Sequence, residues 1–304
     1  MPIKHAFTSA KADGTDASLV QPSNWNADHS ITDYLDLPER SSDPAAPTSG
    51  LRLYVKSRAT RRLLTMLGPS GLDVTLQPSL FGNAVALWAP GVGTTAAIAF
   101  GTSWTVAATQ AHPNIAATNF HTQTKRATYT TSTTAGNAAG VRSASPCCWR
   151  GNAAASGGFF FLARFGFVAV PASFQFWVGL SASSALLAGE PSAVADTVAI
   201  GKDSTDTNLQ LIFRDGTAAT KVNLGVAPTV DHVYEVSFFC PPNVGDIDAR
   251  VVRLNDGTVL ANDTAHTANI PRNTALLFPH AEVRTTTTTA AAISLLRIGV
   301  ETDN

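Results

Sequence analysis

A chain of 304 residues has room for one large domain or a medium domain with an appendage. Its 44% apolar and 14% charged residues, with 22 glycines and 17 prolines, suit an all-β protein rich in turns and exclude a helical bundle. The net charge of -1 gives no basic stripe of the kind a phosphate backbone requires, so neither nucleic acid nor another polyanion is an expected partner. No stretch approaches the ~20 unbroken apolar residues of a membrane span, so no membrane insertion is expected.

The first 37 residues are polar and lack the apolar core of a secretory signal. Trp25 and His29 stand out in the phrase SAKADGTDASLVQPSNWNADHSI. A Trp in a segment that cannot build its own core is read as a docking anchor on a partner surface, since a covered indole buries up to ~250 Å². The phrase resembles the N-terminal arm of fibre and other virion proteins of tailed bacteriophages. That resemblance implies a segment that attaches a fibre to the particle through Trp25 and His29, partners among the virion proteins of tail, neck or capsid, and a final location in the virion after synthesis in the host cytoplasm.

Pro38 to Gly50 is a Pro/Ser-rich linker, and with the arm it makes a first unit, residues 1–50. Beyond it Leu51, Leu53 and Val55 alternate with Arg52, Tyr54 and Lys56, and Leu64 and Met66 alternate with Leu63, Thr65 and Leu67, which predicts a small hairpin closed by Gly68 to Gly71. One hairpin of this size cannot fold alone, so Leu51, Leu53, Val55, Leu64 and Met66 are candidate contacts with copies of itself. The hairpin is similar to those of trimeric phage fibre proteins, which implies a homotrimer. With the apolar, Gly- and Pro-broken connector that follows, it is read as a neck over residues 51–100.

Residues 101–304 are expected to form an antiparallel two-sheet sandwich. At its centre, Phe159, Phe161, Ala163, Phe165 and Phe167 share one parity, with Arg164 on the other. After Pro171 to Ser173, Phe174, Phe176, Val178 and Leu180 alternate with Gln175 and Trp177, so the two arms read as one hairpin with Gln175 facing solvent. Period-two runs continue through Leu209 to Phe213, Val222 to Val226, Tyr234 to Phe238 and Arg250 to Leu260, the last with an Asn255-Asp256-Gly257 turn, and close with Leu276 to Arg284 and Ile293 to Val300. This rhythm is similar to concanavalin A-like, jelly-roll lectin domains. The resemblance is one of strand pattern and implies the fold; contact of the sandwich with host-surface glycan is a separate expectation, from the binding class.

Chemistry is sought with little return. The seven histidines show no metal-ligand spacing, the three cysteines no CxxC, and there is no GxSxG elbow or phosphate loop, so no metal, cofactor or enzymatic activity is expected. Asp203 to Asn208 reads as a polar turn before a calcium loop, and Asp246 and Asp248 read as a turn before an acid/base pair. A depolymerase would need paired carboxylates that the five glutamates do not supply. Trp149, Trp177 and Trp104 are weighed as sugar-stacking rings against a place in the core. The reading is a non-enzymatic structural component of a phage particle, a trimeric tail fibre or appendage. A capsid-decorating head fibre and a glycan-binding adhesin are the alternatives.

Overall fold

The computed structural model describes residues 12–15, 36–68, 73–75, 83–91, 97–152, 157–242 and 245–303. In chain order the strands are β1 (Arg52–Arg58), β2 (Arg61–Leu67), β3 (Asp73–Thr75), β4 (Asn83–Pro90), β5 (Ala97–Phe100), β6 (Trp104–Ala107), β7 (Thr109–Ala111), β8 (Ala127–Thr130), β9 (Ala138–Ser143), β10 (Phe159–Ala169), β11 (Phe174–Ser181), β12 (Thr197–Lys202), β13 (Gln210–Arg214), β14 (Ala219–Asn223), β15 (Val233–Cys240), β16 (Ile247–Arg253), β17 (Thr258–His266), β18 (Phe278–Thr285) and β19 (Ala292–Asp303). The helical content among the described residues is one 3-10 turn, Pro191–Ala193.

Two large antiparallel sheets face one another as a sandwich. The front sheet runs β17-β16-β15-β10-β19-β4-β5, with β8 beside the other half of β19 and β7 outside β8; the back sheet runs β14-β13-β12-β11-β18-β9-β6. The neck strands form a separate β1-β2-β3 sheet.

The Phe-rich stretch folds differently from the expected hairpin. β10 pairs with β15 and β19 in the front sheet, while β11 pairs with β12 and β18 in the back sheet. Residues 170–173 therefore carry the chain across the sandwich, and the two Phe rows face each other. Phe167 meets Phe176 edge-on at 4.9 Å between centroids, Phe165 lies 5.9 Å from Phe176, and Phe167 lies 6.0 Å from Phe174. Alternation fixes which side chains face inward, and here each row becomes the cover that the other needs.

Gln175 is also corrected. Every residue of β11 is buried, and Gln175 is covered on the outer face of the back sheet, where its Oε1 accepts a hydrogen bond from Arg284 at 2.6 Å. The neck reading ran too far: β4 pairs with β19 from Asn83 to Trp88 and β5 pairs with β4, so Asn83–Pro90 and Ala97–Phe100 belong to the front sheet and not to a connector. The Asn255-Asp256-Gly257 turn joins β16 to β17 as expected, with Gly257 at φ 74°. Asp248, expected in a turn, lies within β16.

Candidate functional site at the neck junction

β1 and β2 pair in register from Arg52 with Leu67 to Arg58 with Arg61, leaving a two-residue turn, Ala59-Thr60, with both residues in the left-handed region (φ 47° and 60°). Such a turn matches strand twist but favours Asn-Gly. A β-branched Thr there is strained and needs support from its surroundings.

The sandwich supplies that support. Ala59 is buried, and the Thr60 hydroxyl donates to Asp248 Oδ2, whose other oxygen accepts the Ala265 amide at 2.5 Å. Arg58 pairs with Glu235. Arg61 pairs with Glu301 at 2.8 Å and lies over the Phe160 ring at 5.0 Å. The four tip residues thus grip strands β15, β16, β10 and β19 on the outer face of the front sheet.

Glu235 is buried and shared between two guanidiniums, since Arg164 Nε donates to its Oε2 at 2.7 Å. Arg297 stands opposite Arg164 in the strand register, and burial lowers its pKa, with Arg164 adding to the effect and Glu235 opposing it. The face carries Arg58, Arg61, Arg164, Arg250 and Arg297 against Glu235, Asp248 and Glu301. A chain whose overall charge is -1 is locally cationic here.

Because the neck register places Arg58, Arg61, Leu63 and Tyr54 on the docked side, Leu51, Leu53, Val55, Leu64 and Met66 share the opposite side. Leu51 and Leu53 are 63% and 53% exposed, and Val55, Leu64 and Met66 are half-buried, whereas Tyr54, Leu63 and Leu67 are buried. The five candidate contacts thus form one apolar face pointing away from the sandwich.

The linker lies beside the neck. Arg40 donates its backbone N–H to the Val55 carbonyl at 3.0 Å, Asp43 pairs with Lys56 at 2.6 Å, and Glu39 pairs with Arg62 at 3.1 Å. Between linker residues 39–43, Lys56, Ser57, Ala59 and Thr60 of the neck, and Arg250, Val259 and Asn262 of the front sheet opens a cleft of about 600 Å³. Its wall is mainly polar, and Ser41, Ser42, Ser57 and Thr60 are among the residues that line it.

The other sequence candidates lie elsewhere. Trp25 and His29 fall outside the described residues. Trp149 is half-buried. Trp177 is 1% exposed: its indole N–H donates to Glu282 Oε2 at 3.1 Å and its ring lies 4.6 Å from His280, so no face is free for a sugar. Glu282 also accepts the Leu187 amide at 2.8 Å and bonds His280 Nδ1 at 3.0 Å, while His280 Nε2 meets the Ser183 carbonyl at 2.9 Å. This buried group pins the loop after β11 onto the back sheet. Trp104 is partly buried against the core.

At the acidic loop the Lys221 ammonium sits 3.0 Å from Asp203 and 2.7 Å from Asp206, where a cation would bind. Among the described residues no group of three or more His, Cys, Asp or Glu is arranged to hold a metal, and no helix is long and apolar enough to cross a membrane.

Sequence reasoning passed over Glu235, Arg250 and Thr60. The available signal was a lone charge at an outward position of an otherwise apolar strand, as in Tyr234 to Cys240 and Ala249 to Val252.

No protein-family model matches this chain, and no curated protein matches it. Among solved structures it is similar to a protein of unknown function from Shewanella oneidensis MR-1, at 15% identity and a TM-score of 0.49 over 72% of this chain and 86% of that one. It is also similar to peanut lectin, at 8% identity and 0.46 over 72% and 97% of the two chains. Lectin II from Ulex europaeus is similar at 9% identity and 0.42 over 66% and 93%.

Proposed function

We propose that this chain is a non-enzymatic structural component of a tailed-bacteriophage particle. In this reading it is a trimeric fibre or appendage held to the particle by residues 1–50, joined around an axis by the neck, and presenting the sandwich outward to the host surface. The observation that carries the reading is the neck itself. One side of the hairpin is already spent on the sandwich, and the other leaves Leu51 and Leu53 mostly exposed beside Val55, Leu64 and Met66. A contiguous apolar face of this kind marks an interaction surface, and copies of the same hairpin around an axis would cover it. The arm phrase with Trp25 and His29 supports the particle as the other partner.

Light scattering on the purified chain tests the reading, with an expected mass of about three times 31.7 kDa. Leu53→Arg should disperse the trimer while shifting sandwich stability by no more than ~0.5 kcal/mol, because Leu53 is exposed within one chain. A wild-type monomer at micromolar concentration, or a trimer that ignores Leu53→Arg, counts against it.

A further inference from the structure

The neck-junction cleft brings together two guanidiniums from chain positions far apart. Arg40 comes from the linker wall and Arg250 from β16 on the sheet wall. Of the other charges on the wall, Lys56 is matched by Asp43, and Glu39 is matched by Arg62. Arg40 and Arg250 make no side-chain hydrogen bond or ion pair among the described residues, so the cleft keeps two guanidiniums with no carboxylate in direct contact. Burial lowers the pKa of Arg250, with Glu235 and Asp43 opposing and Arg58 reinforcing the shift. The guanidinium has given up part of its hydration without gaining a carboxylate contact, and an arriving anion would restore that loss.

The remaining wall specifies what carries the anion. Ser41, Ser42 and Ser57 carry hydroxyls and Asn262 an amide, short donors and acceptors suited to sugar hydroxyls. No aromatic ring lines the cleft to stack on a base. The volume falls in the ~300–1,000 Å³ range of sites for molecules of short-oligosaccharide size.

We infer that this cleft binds an acidic oligosaccharide, with Arg40 and Arg250 pairing to its carboxylate or sulfate groups and the neck and linker hydroxyls reading its ring hydroxyls. The inference deepens the host-facing part of the proposed function by giving the glycan a class and a place. It also qualifies the expectation drawn from net charge: two local guanidiniums suffice for a short acidic ligand, although the chain as a whole has no polyanion stripe.

Calorimetric titration of the full chain with a tetragalacturonate, a sulfated heparin-derived tetrasaccharide, neutral maltotetraose and a short single-stranded oligonucleotide tests it. Binding of either acidic sugar, with maltotetraose and the oligonucleotide at least tenfold weaker, is expected. The two acidic arms distinguish carboxylate from sulfate as the anion. Arg250→Ala should weaken the acidic sugar at least about tenfold, the loss of one charge-assisted pair. Arg250→Lys should recover only part of that, and Trp149→Ala should change nothing. An unchanged thermal midpoint in Arg250→Ala shows that the loss is not unfolding. No binding of either acidic sugar, equal binding of the neutral sugar or the oligonucleotide, or indifference to Arg250→Ala overturns the inference. A trimer that binds neither sugar sinks this inference alone, whereas a monomer that binds one sinks the fibre reading alone.

Discussion

Phe165 and Gln175 show what a residue's parity decides. Phe165 is fully buried against Phe176 and Tyr234, so Phe165→Ala should cost ~3–5 kcal/mol. Gln175→Ala removes an acceptor from Arg284 on a covered face and should cost ~1–2 kcal/mol, more than a surface change and less than the Phe. Chemical denaturation of both variants checks the order. His121 gives a pH dependence. It is 2% exposed, burial lowers its pKa from 6.5, and the hydrogen bond with Asp231 only partly opposes that. The folded chain therefore holds fewer protons at this site than the unfolded chain once the pH drops below 6.5, so stability is complete above that value and declines as the pH falls toward the lowered pKa. Melting midpoints between pH 7.5 and 5 should fall, and His121→Gln should flatten part of the slope.

Among the elements, the neck hairpin depends most on its surroundings. Its Ala59-Thr60 turn is held by the Thr60 bond to Asp248 and by the Arg58 pair with Glu235. Thr60→Val keeps the shape and deletes the hydroxyl, and Glu235→Gln leaves Arg58 and Arg164 facing a neutral amide. Breaking a buried pair of this kind costs ~3–5 kcal/mol. Hydrogen exchange should therefore accelerate across β1 and β2 in Glu235→Gln and, to a smaller extent, in Thr60→Val, with the back-sheet amides unchanged; protection retained in β1 and β2 would refute the docking. The elements also show what could be read in advance. The inward rows of β10 and β11 were legible because each has a dense parity, but their partners were not, since alternation sorts faces and is silent on neighbours. β12 went unread because all six of its residues are buried, which erases the alternation. The site was illegible because Arg40 and Arg250 sit about 210 residues apart in unremarkable stretches, and only the docked neck brings them to one cleft.

For the whole molecule, the sandwich and the proposed attachment function should separate. Removing residues 1–37 leaves the linker contacts of Arg40 and Asp43 and every strand pairing in place. The truncated chain should keep its thermal transition and its mass in solution but fail to enter particles, as a particle-assembly assay would read. Normal incorporation would place the attachment elsewhere, and loss of the transition would make the arm part of the fold. The grip of Arg61 on Glu301 carries a further consequence for biosynthesis. The hairpin leaves the ribosome about 240 residues before one of the strands it must seat on. Until then its strained turn lacks support and both its faces are bare. Docking of the hairpin on the front sheet is therefore a late step of folding, taken only once the strand that carries Glu301 has been made.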